Sequence, residues 1–307
     1  MTPPASSPPP VPSSVRTGYP LERLSTVRTG GAAELFARVG SERELAEVLA
    51  YANALEKPVR VVGSGSNLLI ADEGVAGLVI KLAGELAAID LEGHRLLCGA
   101  GARLPSVAAR AARAGLAGIE FGVNIPGTVG GAVRMNANAY GGELESVLQW
   151  VEIMTPDGVD RRTPRELGFA YRHSNVGERE IVMRASFSLQ PADPAVVSRR
   201  LEELRARRQA AQPQGIRTFG STFKNPSDPR AEGRSAGILL DQAGCSGLSV
   251  GGARFSPKHA NFIENTGGAS TADILALMAE GRRRVAERFG VQLEAEVQTL
   301  GDVSLPS

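Results

Sequence analysis

Cysteine and histidine are both scarce in this chain, which argues against metal chemistry. The two cysteines, Cys98 and Cys245, and the three histidines, His94, His173 and His259, are scattered over 307 residues. No CxxC pair occurs, so no metal site is expected. So few thiols fit a reducing compartment such as the cytoplasm. Excess charge is lacking too: 34 basic against 33 acidic residues leave a net +1. That balance disfavours a dedicated partner of nucleic acid or of a membrane surface. No apolar run approaches the ~20 residues of a membrane span. The N-terminal stretch MTPPASSPPPVPSS has neither the basic nor the apolar segment of a secretory signal. Its Pro/Ser composition cannot bury a core, and residues 1–15 are read as a disordered or polyproline-like tail.

After the tail, helical and strand patterns alternate. Ser41-Glu42-Arg43-Glu44 has the form of a capping box. It opens a helix with an apolar stripe of Leu45, Val48, Leu49, Ala52 and Leu55, stopped by Pro58. Residues 59–62 and 78–82 read as strands, and 104–114 as an Ala-rich helix ended by Gly115. Strands are expected at 151–155 and 181–189, with a turn at Pro156-Asp157-Gly158. The charged helix 194–212 reads as a solvated connector. The last long helix covers 271–289 with Gly290 as its stop, and 291–300 reads as a final strand. These elements imply an α+β protein, with a nucleotide-binding part to about residue 192 and a smaller part after it.

Glycine is concentrated where chemistry would need bare backbone. Residues 122–142 read GVNIPGTVGGAVRMNANAYGG, with six glycines, Arg134 as the one charge, and no acid between Glu120 and Glu143. Glycine lets N–H groups approach an anion closely. The segment suits a pyrophosphate cradle or an ordinary Gly-rich loop. Gly63-Ser64-Gly65-Ser66-Asn67 follows a strand and reads first as a plain tight turn, though its composition can also wrap a phosphate or ribose. It is not a dinucleotide fingerprint, because Leu68 stands where GxGxxG needs glycine. Residues 247–251 match G-x-S-x-G, but no acid lies between Ser249 and His259, so a hydrolase triad is rejected. Three polar clusters remain: Tyr171-Arg172-His173-Ser174, Gly220-Ser221-Thr222-Phe223-Lys224-Asn225-Pro226, and Lys258-His259-Ala260-Asn261.

Eight segments, STVRTGGAA at 25–33, 61–77, 118–143, YRHS at 171–174, GSTFKNP at 220–226, AGILLDQAG at 236–244, KHANFIEN at 258–265 and LEAEV at 293–297, stand in the order and spacing of one family. On them the chain resembles the UDP-N-acetylenolpyruvoylglucosamine reductases (UDP-N-acetylmuramate dehydrogenases) of bacterial peptidoglycan synthesis. The resemblance implies an α+β, PCMH-type (vanillyl-alcohol-oxidase-like) fold. Two FAD-binding subdomains would cover 16–83 and 84–192, and a substrate-binding domain 193–290. A C-terminal strand and tail, 291–307, would carry the last catalytic residue. The resemblance further implies non-covalent FAD, NADPH as hydride donor, a UDP-sugar enolpyruvyl ether as substrate, and a monomer. Its motifs carry catalysis onto Arg172, Ser221 and Glu296. FAD contacts fall on Gly63, Ser64, Gly65, Ser66, Asn67 and Leu68, and on Ile125, Pro126, Gly127, Thr128, Gly130, Gly131 and Ala132. Further substrate contacts fall on Tyr171, Lys224, Asn225 and His259.

Only 46 positions separate Ser174 from Gly220, so the chain resembles the type without a Tyr-bearing insertion over the substrate. Asn124 and Asn138 stand where the family has glycine. Asn tolerates positive φ, which would preserve the backbone path. Cys245-Ser246 replaces Leu-Lys and removes a cation. Two rival readings stay open at this point. One is an O₂-using flavin oxidase of the same fold; the other is a nucleotide-binding protein without activity.

Overall fold

The computed structural model describes residues 9–306. Most of the expected tail, residues 1–8, lies outside the described residues, and Val15 already opens a strand. A first sheet runs in the order Val15–Pro20, Ala32–Val39, Val75–Leu82, Val59–Val61. Its first pair is antiparallel and the others are parallel. Helix α1 (Glu42–Ala54) buries Leu45, Val48, Tyr51 and Ala52, close to the expected stripe. Ser41 caps it by accepting from the Glu44 amide at 3.2 Å. The return bond is displaced by one residue: the Glu44 carboxylate accepts from Gly40 N at 2.6 Å.

A second sheet is wholly antiparallel, in the order Gly158–Arg162, Leu148–Thr155, Ile181–Ser188, Arg95–Gly99, Ile89–Glu92. The turn at Pro156-Asp157-Gly158 thus starts an edge strand whose exposed, polar side chains gave no strand pattern. Helices α2 (Leu104–Arg113) and α3 (Val129–Arg134) share a continuous apolar core with this sheet and with α1.

Helix α4 (Pro194–Ala211) departs from its reading as a solvated connector. Val197, Leu201 and Leu204 are buried against Ala108 and Ala112 of α2 and against Val123. Three apolar residues on successive turns suffice to dock an otherwise charged helix. Beyond it, α5 (Ala236–Gln242), α6 (Thr271–Phe289) and a small antiparallel sheet enclose Phe219, Phe223, Phe255 and Leu277. Ser270 and Asp273 form a reciprocal cap on α6, and Gly290 ends it at φ 70°.

The expected strand 291–300 is shorter. Only Gln298–Leu300 forms one, parallel to Leu68–Ile70 of the first half. Residues before it bury Val291 and Leu293 but meet segment 222–224 through isolated bonds, Glu296 N to Thr222 O and Lys224 N to Glu294 O. That is too little for a ladder. No helix among the described residues is long and apolar enough to cross a membrane, and no His/Cys/Asp/Glu group there is placed to hold a metal.

Candidate active site

Both glycine-rich turns open onto one cleft of about 2220 Å³. Ordinary small-molecule pockets occupy ~300–1,000 Å³, so this cleft is large enough for a dinucleotide. The first turn leaves strand Val59–Val61. The backbone N–H groups of Ser64, Gly65, Ser66 and Asn67 have no acceptor among the described residues. Gly65 sits at φ +64°, and a Cβ there would overlap the Leu24 carbonyl. Its own carbonyl is fixed by the Thr26 amide and hydroxyl, both at 3.1 Å. The Ser64 and Ser66 hydroxyls bond each other at 3.0 Å.

The second turn, Ile125-Pro126-Gly127-Thr128, leads into α3. Here the N–H groups of Gly127, Thr128 and Gly131 likewise lack protein acceptors among the described residues. Those of Gly130 and Ala132 are already bonded, to Ala100 O and Thr128 O. A side chain at Gly63 would strike the Thr128 hydroxyl, so the turns touch only because residue 63 has none. Leu68 sits at the join, pairing with Gln298. Unbonded, partly buried N–H groups are costly unless water or a ligand satisfies them, and oxyanions satisfy several at once.

The three expected catalytic side chains line the same cleft. Tyr171-Arg172 forms a two-residue turn closed by reciprocal bonds between Ala170 and His173, at 3.2 and 3.1 Å. Arg172 takes φ 57° there, a conformation costly for a residue with a Cβ. Its Nε donates to Glu296 Oε1 at 2.6 Å and its Nη1 to Asn138 Oδ1 at 2.9 Å. The pair is largely covered, with side chains 18% and 13% exposed. Burial pushes the Glu296 carboxyl above the usual carboxylate range, against the opposing charges of Arg172 and Lys224. Asn67 Nδ2 holds the Glu296 carbonyl at 3.1 Å, which ties the acid to the first glycine turn.

Ser221 is bridged to Phe262, and the Ser66 carbonyl lies beside Gly220. Asn261 clamps the extended segment that carries Ser221: its carbonyl accepts from Thr222 N, its Oδ1 from Phe223 N, and its Nδ2 donates to Phe223 O.

The other expected contacts lie off the cleft wall. Tyr171 is exposed, with the Arg172 guanidinium 5.0 Å from its ring centre. Lys224 pairs with Glu294 at 3.2 Å. Asn225 Oδ1 accepts from Ala236 N at 3.1 Å, and His259 Nδ1 from Asn261 N at 3.3 Å. His259 also lies edge-on to Phe262, and burial lowers its pKa.

Asn124 and Asn138 do not take positive φ; Asn136 and Tyr140 do. The amides instead make bonds. Asn124 Nδ2 donates to Leu204 O at 2.7 Å, while its carbonyl accepts from Arg208, and both contacts pin α4. Asn138 Oδ1 accepts from Arg172. Sequence reasoning also passed over Lys81, which lines the cleft from an ordinary strand pattern.

An FAD binding domain model matches residues 33–163. A model of the UDP-N-acetylenolpyruvoylglucosamine reductase C-terminal domain matches residues 212–300. The chain is 44% identical over 292 residues to UDP-N-acetylenolpyruvoylglucosamine reductase 2 of Symbiobacterium thermophilum, covering 94% of this chain and 93% of that one. It is 45% identical over 283 residues to the reductase of Paramagnetospirillum magneticum, covering 92% and 90%. The crystal structure of UDP-N-acetylenolpyruvylglucosamine reductase from Thermus caldophilus superposes with a TM-score of 0.79 at 40% identity, covering 93% of this chain and 98% of that one.

Proposed function

The chain belongs to the UDP-N-acetylenolpyruvoylglucosamine reductase family, and from that premise we propose that it uses NADPH to reduce the enolpyruvyl ether of its UDP-sugar substrate to UDP-N-acetylmuramate. The reaction would belong to cytoplasmic peptidoglycan precursor synthesis and be carried out by a monomer. The chain is an FAD-dependent oxidoreductase. Its residues fit that cofactor: seven N–H groups without an acceptor among the described residues stand on two touching turns that line the cleft, with no acid in either turn. When bound, the flavin supplies the hydride chemistry that none of these side chains can perform.

The reading rests most on the Arg172–Glu296 pair sharing a cleft wall with Ser221 and the unbonded amides. Arg172 binds the substrate carboxylate, whose conjugated double bond is reduced at its β-carbon. Charge then builds on the α-carbon and its carboxylate. Arg172 and a protonated Glu296 stabilise that charge by donation. The raised pKa of Glu296 works in the direction this role needs. Ser221 delivers the proton to the α-carbon. Tyr171 and Lys224, beside the pair, are assigned to the remainder of the substrate; Asn225 and His259 serve the same end by holding the loops that carry it. Without an insertion, the end of α4 stands nearest to cover, since Arg208 and Gln212 line the cleft.

Two results test the reading. The purified protein is expected to be yellow, to bleach with NADPH under anaerobic conditions, and to recolour on adding the enolpyruvyl ether. Bleaching followed by recolouring only in air would point to an oxidase. For Gly65→Ala, the left-handed backbone costs about 1–2 kcal/mol. Overlap with Leu24 would also displace the turn. The variant is expected to purify with little flavin; full FAD content would contradict the cradle.

A further inference from the structure

The cradle supplies partial charges only, whereas a dinucleotide diphosphate carries about two full negative charges at neutral pH. Three cations stand close to where the two glycine turns meet. Lys81 belongs to strand Val75–Leu82, and Arg38 is its register partner on Ala32–Val39. Arg103 is bridged to Thr128 of the second turn. None of the three has a carboxylate within ion-pair distance among the described residues.

Lys81 is the one of the three that lines the cleft, half-buried. Its Nζ donates to the Gly63 carbonyl at 2.7 Å. An ammonium has three donors, so two remain for another acceptor. The peptide held by Lys81 leads directly into the four unbonded N–H groups of residues 64–67. Burial, followed by repulsion from Arg38 and Arg103, lowers the Lys81 pKa. A buried cation among like charges destabilises the protein unless an anion joins it.

We propose that Lys81 is a direct ligand of the FAD diphosphate, the one full charge in a cradle otherwise built from backbone dipoles. The inference rests on the FAD assignment and is independent of which substrate the flavin reduces. Lys81 holds the Gly63 carbonyl with one proton and aims its remaining donors at the phosphates. Arg38 and Arg103 add longer-range attraction.

The test compares Lys81→Met and Lys81→Arg with the unaltered protein. FAD release from each holoenzyme is followed by the rise in flavin fluorescence at several salt concentrations, and melting is measured with and without added FAD. Lys81→Met is expected to weaken FAD binding about 10- to 100-fold and to flatten its salt dependence, because one screened charge pair is gone. Lys81→Arg should stay within a few-fold of the unaltered protein. FAD-depleted Lys81→Met should melt no lower than the FAD-depleted parent, since a cation without a carboxylate has been removed. FAD affinity and salt dependence unchanged in Lys81→Met would overturn the proposal. So would a loss of affinity accompanied by a matching fall in the melting temperature of the depleted protein, which would make Lys81 a strut for Gly63. Failure to turn over the enolpyruvyl ether in a chain that still binds FAD would sink the substrate reading and leave this one intact.

Discussion

Replacing Ser221 by alanine should leave bleaching of the flavin by NADPH within a few-fold of normal, while recolouring by the enolpyruvyl ether slows by about 10²–10⁴-fold, the usual cost of losing a positioned proton donor. The expectation depends on how little else Ser221 does. Thr222 and Phe223 carry the bonds to Asn261 that hold this segment, and those bonds use backbone groups that Ser221→Ala leaves in place. Fold and cofactor content should therefore survive. Rapid mixing with absorbance at the flavin band separates the two half-reactions. Equal slowing of both would remove Ser221 from the proton-delivering role and make it a general support of the site.

A second large effect is expected at Glu296. Removing the carboxyl in Glu296→Ala deletes one donor to developing negative charge, and such deletions cost about 10²–10³-fold. It also strips Arg172 of its 2.6 Å partner, so substrate affinity should fall too. The pH dependence is more diagnostic. Burial raises the Glu296 pKa, so its protonated, donating form persists to higher pH than an exposed glutamate would allow. As pH rises through that raised value the donor is lost, and recolouring should slow. Glu296→Gln keeps an N–H donor at every pH. Its recolouring rate should be lower than normal at mildly acidic pH but flat on that limb. A limb that persists unchanged in Glu296→Gln would assign the titration to another group.

The sequence spoke clearly where physics is local. The Gly290 signal that ends α6 involves neighbours within a turn, and the helix stops there. The glycine turns were legible for the same reason, since composition alone shows where backbone can lie bare. What stayed hidden depends on residues far apart in the chain. Arg172 and Glu296 are 124 positions apart, and Asn67 and Glu296 are 229 apart. Only the family motifs marked the first pair, and nothing marked the second. In the sequence Asn138 reads as a residue tolerant of positive φ, whereas in the fold it accepts a bond from Arg172. Lys81 sits in a plain strand pattern, and only the assembled sheet sets it beside Arg38, with no carboxylate within ion-pair distance among the described residues. Helix α4 looked like a connector because its charges outnumber the three apolar residues that dock it.

The parallel pairing of Gln298–Leu300 with Leu68–Ile70 carries a cost in time. A growing chain makes its first glycine turn early, yet the strand leading out of that turn waits for a neighbour some 230 residues later. Contacts so distant along the polymer are slow to form. Docking of Gln298–Leu300 should thus be a late event in folding, and the cleft, which these residues help to line, should be completed only after it.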